Sequence, residues 1–413
     1  MKHFLTICFF LMLLSSTTYA QTWTTIPYDE ISADGLRIIS LHEDTDGNVW
    51  GGNDYAGRIV RWNGTDWETF NSDVTGLDYD SPSVNEILQD SGGKMWFATG
   101  DGIVTWENGS WINYQPSNSG IPESFSTDVI EADNKMWFTM KQSLVSFDGT
   151  TWTEAVIPDV DWNAGGLASM GNGSFFISML NGDPVRRFDG TNWEVFSTDN
   201  SNISSNFQYV VGRVDDQTFW FGGPNGKANL YENGTWTPSA DIPGWTLGPG
   251  EYILEIAING SKDDVWFANG DGLFHLKDGV GTEYNPSNSP MTSEIVQTVM
   301  IASDGKIWCT TENELLILDP AIVNSTTEVT SSITLNILTN PVQETINLKI
   351  ENEGTTLGQN GLISIYNTIG QPVITQKVTD LQMNIEVGNL VNGLYILEYA
   401  DGENKRATQF LKQ

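Results

Sequence analysis

Two segments of the chain are copies of one unit: "DSGGKMWFATGDGIVTWENGSWINYQPSNSG" at 90–120 and "SKDDVWFANGDGLFHLKDGVGTEYNPSNSP" at 261–290. Each runs through an acidic or glycine turn, an aromatic strand, a Gly-Asp-Gly turn and an alternating strand. An Asn-Gly or Asp-Gly turn then leads to a last strand that ends in Tyr-x-Pro-Ser-Asn-Ser. The leading aromatic recurs at Trp50, Trp96, Trp137, Phe176, Trp220, Trp266 and Trp308, at intervals of 39 to 46 residues. A unit this short cannot bury an apolar face alone, so it must stack on its neighbours.

A period of about 40 residues is that of a four-stranded propeller blade. In the first unit "LRIISLHED" reads as the inner strand a, "NVWGG" as b, "GRIVRWNG" as c and "DWETF" as the outer strand d. Period-two alternation bounded by Asp-Gly and Asn-Gly supports strands and tight hairpins, and helical periodicity is scarce. A second aromatic set, in strand d, runs Trp67, Trp111, Trp152, Trp193 and Trp236, and Gly281 takes its place in the sixth unit.

The seventh unit stops after its third strand, "ELLILDP" (314–320), without a strand d. "TWTTIPYD" near the N terminus has the pattern of one, for it parallels "TWTEAVIPD" (151–159) and "TWTPSADIP" (235–243). An uncovered sheet edge is a liability. The expectation is an all-β chain: a seven-bladed β-propeller over 21–320, closed by the N-terminal strand, with Trp23 beside residues 314–320.

Residues 1–20 have a basic start, an apolar run from Phe4 to Leu14 and small residues ending at Ala20, the pattern of a secretory signal peptide. That run is too short to span a bilayer, and no later stretch approaches the length, so no membrane span is expected. Nineteen basic against 53 acidic residues give a net charge of −34, which repels nucleic acid and anionic lipid. Cys8 leaves with the signal, and Cys309, after Trp308 in a strand pattern, reads as a buried apolar residue.

"AIVNSTTEVTSS" (321–332) is small and polar and reads as a linker. From 333 to 413 the repeat is gone; "NILTNPVQETINLKI", "LISIYNTIGQPVITQ" and "IEVGNLVNGLYILEYADGENKRATQFLKQ" alternate between turn signals. Seven or so short strands suggest a small β-sandwich.

The units over 22–320 resemble the two-component-regulator propeller repeat, through "DGNVW" with "VRWNGTDW" and through "DGKIW". The C-terminal segment resembles the type A sorting domain of the type IX secretion system. It matches in Asn340-Pro341, in "IYNTIGQPV" (365–373), in "NLVNGLYIL" (389–397) and in a terminal basic residue, Lys412, while Leu338 and Thr339 replace the usual tyrosine-proline. That resemblance implies a Bacteroidota-type source and the type IX secretion machinery as a partner through 333–413. It also implies removal of that segment and a final location outside the cell or on its outer surface.

In a propeller the a–b and c–d turns share one face, and the b–c and d–a loops share the other. The first face here is tight hairpins; the second carries longer loops, where ligand contacts concentrate. Fourteen of the 16 tryptophans fall on repeat positions. Trp162 in "DVDWNAGG" and Trp245 in "DIPGWTLGPGEY" do not, and both lie on d–a loops. Each reads either as a stacking platform for a sugar ring or partner side chain, or as a cap on its own loop. Tyr55, Tyr79, Tyr252, Arg186 and Arg187 are further ligand-binding candidates, close in sequence to Asp54, Asp78, Asp80 and Glu251.

"EDTDGN" (43–48) lacks the twelfth-position glutamate of a calcium loop and reads as a hairpin turn. No serine elbow, zinc spacing or phosphate loop occurs, and neither a metal nor a cofactor is expected. The repeats also resemble virginiamycin B lyase, a seven-bladed propeller whose family uses a histidine and a glutamate with magnesium. That resemblance implies His275 and Glu283 as analogues, and a polysaccharide lyase or hydrolase is a further enzymatic alternative. The favoured expectation is a non-catalytic module that binds glycan or a surface protein.

Overall fold

The computed structural model describes residues 22–55, 57–77, 82–160, 164–248, 252–320, 333–337, 341–352, 361–367, 372–378, 380–400 and 405–413. The expected signal peptide and linker lie outside the described residues. The chain divides into two compact units, Met1–Pro320 and Ala321–Gln413.

The first unit is built from four-stranded antiparallel sheets in which consecutive strands are neighbours. The first sheet holds Ile38–Glu43, Val49–Asn53, Ile59–Trp62 and Trp67–Phe70 as strands a to d, the four segments read from the sequence. The later strands a are Val84–Gln89, Ser126–Ala132, Ala164–Ser169, Val210–Arg213, Ile253–Ser261 and Val296–Ile301. Strand b is buried along its whole length in most sheets, as in "VWGGN" and "MWFAT".

The sheet containing Glu314–Asp319 is completed by Thr22–Pro27 from the other end of the chain, with Trp23 opposite Leu318. Tyr28 and Ile31 follow, both buried, and the Tyr28 hydroxyl donates to the Thr311 carbonyl at 2.7 Å. The borrowed strand covers an edge that would otherwise present unpaired backbone groups.

The cores lie between sheets rather than within them. Trp50 and Ile59 of the first sheet pack with Ile87, Phe97 and Val104 of the second, and Trp96 and Ile103 of the second with Val129 and Phe138 of the third. The same sharing joins the last sheet to the first, where Trp308 and Leu315 meet Ile38, Leu41 and Val60. Each fully buried aromatic contributes on the order of 2–3 kcal/mol of apolar transfer free energy.

The repeated acidic turn has a structural cause. Asp44 Oδ1 accepts from the backbone N–H groups of Asp46 and Asn48, and Oδ2 accepts from Trp50 Nε1 at 2.8 Å. Asp90 does the same for Gly92, Lys94 and Trp96 Nε1. One carboxylate thereby closes the a–b hairpin and satisfies the N–H of a buried indole. In the third sheet alanine stands at that position, and Trp137 Nε1 donates to the Ala132 carbonyl instead, at 3.1 Å.

The second unit has a three-stranded sheet, with Thr345–Asn352 between Ile333–Ile337 and Gln382–Glu386, and a four-stranded sheet that ends in Gly393–Ala400 and Lys405–Lys412. Ile346, Leu348, Ile363, Ile365, Leu397 and Phe410 from both sheets share one core.

Candidate functional site

Three rings stand together on the face formed by the b–c and d–a loops. Tyr209 and Tyr252 immediately precede strands a of the fifth and sixth sheets, and their ring centroids are 4.9 Å apart, edge to face. The Phe207 ring centroid lies 6.4 Å from that of Tyr209. Phe207 and Tyr252 are 37% and 44% exposed, large values for rings that have a packing partner. Burial, and then the neighbouring Tyr252, pushes the Tyr209 hydroxyl up to about 12, so it remains a neutral donor at physiological pH.

The loop that presents Phe207 is pinned from beneath. Ser204 N–H donates to Asn229 Oδ1 at 2.8 Å, and Asn229 Nδ2 donates to Gln208 Oε1 at 3.2 Å. Gln208 Nε2 returns to the Ser205 carbonyl at 3.0 Å, and both Gln208 and Asn229 are fully buried. Gly182, at φ +100°, leaves room for the ring, since a Cβ there would lie 2.6 Å from Phe207. A rigid aromatic ledge of this kind offers contact area at little entropic cost.

Of the residues expected to bind ligand, Tyr252 belongs to this ledge. Tyr55 is 62% exposed, beside Asp54, which is held by Arg37. Trp162 and Tyr79 lie outside the described residues. Phe207 and Tyr209 were not anticipated; their signal is the run "NFQY" on a d–a loop, aromatics off the repeat register.

Trp245 is not a free platform. Its ring stacks on Trp220 at 6.1 Å and meets Phe267 and Phe274 edge-on at 5.1 and 5.0 Å. In the second sheet Trp111 of strand d makes a similar set of contacts, with Trp50 of the preceding sheet and with Phe97 and Trp106 of its own. Trp245 therefore fills the site of the tryptophan that the sixth unit lacks at Gly281. A Cβ on Gly281 would lie 2.2 Å from the Gly244 carbonyl oxygen, so the glycine admits the loop that carries the substitute ring.

The two arginines also serve the fold. Arg187 pairs with Glu194 at 2.5 Å across strands c and d and lies over Phe196, as Arg61 pairs with Glu68 over Phe70 in the first sheet. Arg186 is 4% exposed and donates to the Pro184 carbonyl at 2.7 Å. His275 and Glu283 do not form a pair. His275 is opposite Thr282 and Glu283 opposite Phe274 in the c–d ladder, so their side chains leave opposite faces of the sheet. His275 Nε2 instead bonds Asp264 at 2.7 Å with its ring flat on Trp266, while Glu283 accepts from Thr246 Oγ1 at 3.0 Å. Burial lowers the His275 pKa despite Asp264.

Residues 336–413 match the secretion system C-terminal sorting domain family. The C-terminal unit is a type IX secretion system sorting domain. Such a domain marks its carrier for the cell surface or the extracellular space, and that is where this protein resides. Among the described residues no helix is long and apolar enough to cross a membrane.

No curated protein matches the chain in sequence. Among solved structures it is similar to PorZ, an essential bacterial surface component of the type IX secretion system of Porphyromonas gingivalis. That match has 14% identity and a TM-score of 0.55, covering 92% of this chain and 59% of PorZ. It is similar too to the extracellular domain of BT4673, a putative hybrid two-component system from B. thetaiotaomicron, at 12% identity and TM-score 0.58, covering 96% of this chain and 59% of that one. This sorting-domain protein thus spans about three fifths of both. Staphylococcus aureus virginiamycin B lyase matches at 15% identity and TM-score 0.58, over 72% of this chain and 99% of the lyase. At such identities the likeness shows a fold, and the first unit of the sorting-domain protein is a β-propeller.

Proposed function

We propose that this is a secreted, non-catalytic binding propeller whose b–c and d–a loop face takes an extracellular ligand, a glycan chain or side chains of a surface protein. The observation that carries the reading is the ledge where Phe207 and Tyr209, on a hydrogen-bonded loop, meet Tyr252 of the next d–a loop, since exposed, supported rings suit sugar faces and partner side chains. The proposal includes the finer architecture: seven blades, the last closed by Thr22–Pro27, and a C-terminal β-sandwich removed on export, after cleavage of a signal peptide at 1–20. The opposed orientation of His275 and Glu283 favours a binder over a lyase-like enzyme.

The test is binding of the full chain to a glycan panel and to washed cells, compared with Phe207→Ala and Tyr252→Ala. Loss of binding with unchanged thermal stability supports the assignment. Equal binding by the variants, or no saturable binding by the parent to either target, overturns it.

A further inference from the structure

A cavity of about 360 Å³ is lined solely by residues of strands a, from Leu41 of the first sheet to Thr298 and Met300 of the last. Three carboxylates enter it from different sheets: Glu86, Asp128 and Glu255. Their register is equivalent, opposite Ala98, Thr139 and Ala268, each two residues after the strand b tryptophan. Thr298 takes the same register, opposite Thr310. Among the described residues no lysine, arginine or histidine lines the cavity.

Folding alone does not account for this set. Glu86 Oε1 accepts from Ile87 N–H at 3.1 Å and Glu255 Oε1 from Ile256 N–H at 2.8 Å, and among the described residues their second oxygens have no partner. Asp128 accepts from the N–H groups of Val129 and Leu167, both at 2.6 Å. Thr298 is 3% exposed, lines the cavity, and has no side-chain hydrogen bond among the described residues. Burial, reinforced by Glu255, holds Asp128 up at about 8, and burial holds Glu255 at about 7; burial with the Glu255 and Asp128 carboxylates raises Glu86 well above its ordinary range. Three acids, of which Glu86 and Glu255 each keep a free oxygen, with an unpartnered hydroxyl and no cation among the lining residues, describe a site complementary to a positive group.

We propose that this cavity binds a primary ammonium group on an aliphatic chain. Among the described residues no three acidic, histidine or cysteine groups stand close enough to hold one metal ion, whereas two carboxylates and a hydroxyl match the donors of an ammonium. An ammonium presents three donors, which Glu86, Glu255 and Thr298 can accept, and its methylenes lie along Leu41, Ile130, Leu167 and Ala257. A free diamine and a lysine side chain share this chemistry. The site is separate from the aromatic ledge, and each can fail alone.

The experiment is titration calorimetry of the full chain with 1,5-diaminopentane and, in parallel, with a short acetylated peptide containing one lysine, at about pH 8, above the value near 7 of Glu255. Saturable binding that releases protons, and that weakens as pH falls towards about 5, is expected. Glu86→Gln and Glu255→Gln should each weaken it by about 10-fold, the scale of one charge-assisted hydrogen bond. Thr298→Val should weaken it less, and Tyr252→Ala should leave it unchanged. Binding of only one of the two probes supports the site and identifies the source of the amine. Absence of saturation at millimolar amine, or equal binding by the double glutamine variant at unchanged thermal stability, overturns the proposal. So does stabilisation by calcium with none by amine.

Discussion

Trp245 supplies a test of how the sixth sheet compensates for Gly281. Truncation of Trp245 to alanine removes a ring that contacts Trp220, Phe267 and Phe274, and the backbone around Gly281 cannot close the space. A fully buried tryptophan truncated in this way costs about 3–5 kcal/mol, and the partly exposed edge of Trp245 lowers the expectation to about 2–3 kcal/mol. Trp236→Ala in the fifth sheet, at 5% exposure, should show the full cost. Restoring the repeat with Gly281→Trp must not rescue Trp245→Ala, because its Cβ meets the Gly244 carbonyl oxygen at 2.2 Å and the Phe274 ring at 2.8 Å. Urea unfolding followed by tryptophan fluorescence isolates the first unit, since no tryptophan follows Trp308. A midpoint for Trp245→Ala equal to that of the parent, or rescue by Gly281→Trp, would refute the reasoning.

Four further outcomes are expected. Asp128 and Glu255 have folded pKa values raised above their unfolded ones, so their contribution to stability is fully present below about pH 4 and is lost as pH rises through about 7 to 8; Glu86, also raised, acts in the same direction. Urea midpoints should fall along that limb and flatten in the Glu86→Gln, Asp128→Asn, Glu255→Gln triple variant. His42 opposes this on the acid side. Burial holds it at about 4, and its Nε2 accepts from Gln89 N–H at 3.1 Å, so stability is lost as pH falls below about 6.5, a limb that His42→Gln should remove. Deletion of 22–31 should lower the midpoint and produce oligomers on size exclusion, because it bares the edge at Glu314–Asp319 and the seats of Tyr28 and Ile31; a monomer of parental stability would contradict the closing role of that strand. Mass spectrometry of secreted material should find a product without the sorting domain, and an intact C terminus there would contradict its removal.

The fold was legible because its determinants are local. Asp44, Gly47 and Trp50 specify hairpin, turn and buried ring within seven residues, and the motif recurs. Even the pairing of Trp23 with Leu318, nearly the whole propeller away in sequence, followed from the missing strand of the last unit. The site was less legible. Tyr252 was found, but Phe207 and Tyr209 acquire meaning only when adjacent sheets bring them to Tyr252. Trp245 looked free because the space it fills belongs to a different repeat, and no spacing along the chain relates it to Gly281. Glu86, Asp128 and Glu255 were hidden for the same reason, since each alone is one more acid in an acidic chain.

The repeat itself provides the control for telling packing from function. A residue that departs from its counterparts in the other sheets needs either a compensating partner or a role outside the fold. Arg187 with Glu194 repeats Arg61 with Glu68, so neither pair calls for a ligand. Trp245 departs from the repeat, but Gly281 accounts for it. Phe207 and Tyr252, on two adjacent d–a loops, are left exposed, and the Phe207 loop rests on polar supports, Gln208 and Asn229, that are completely buried. The acids at the register of Thr298 likewise carry a charge that costs stability above about pH 7, which apolar residues at the same positions would avoid. By that comparison the loop ledge and the inner cavity are the two places to which the proposals of ligand binding attach.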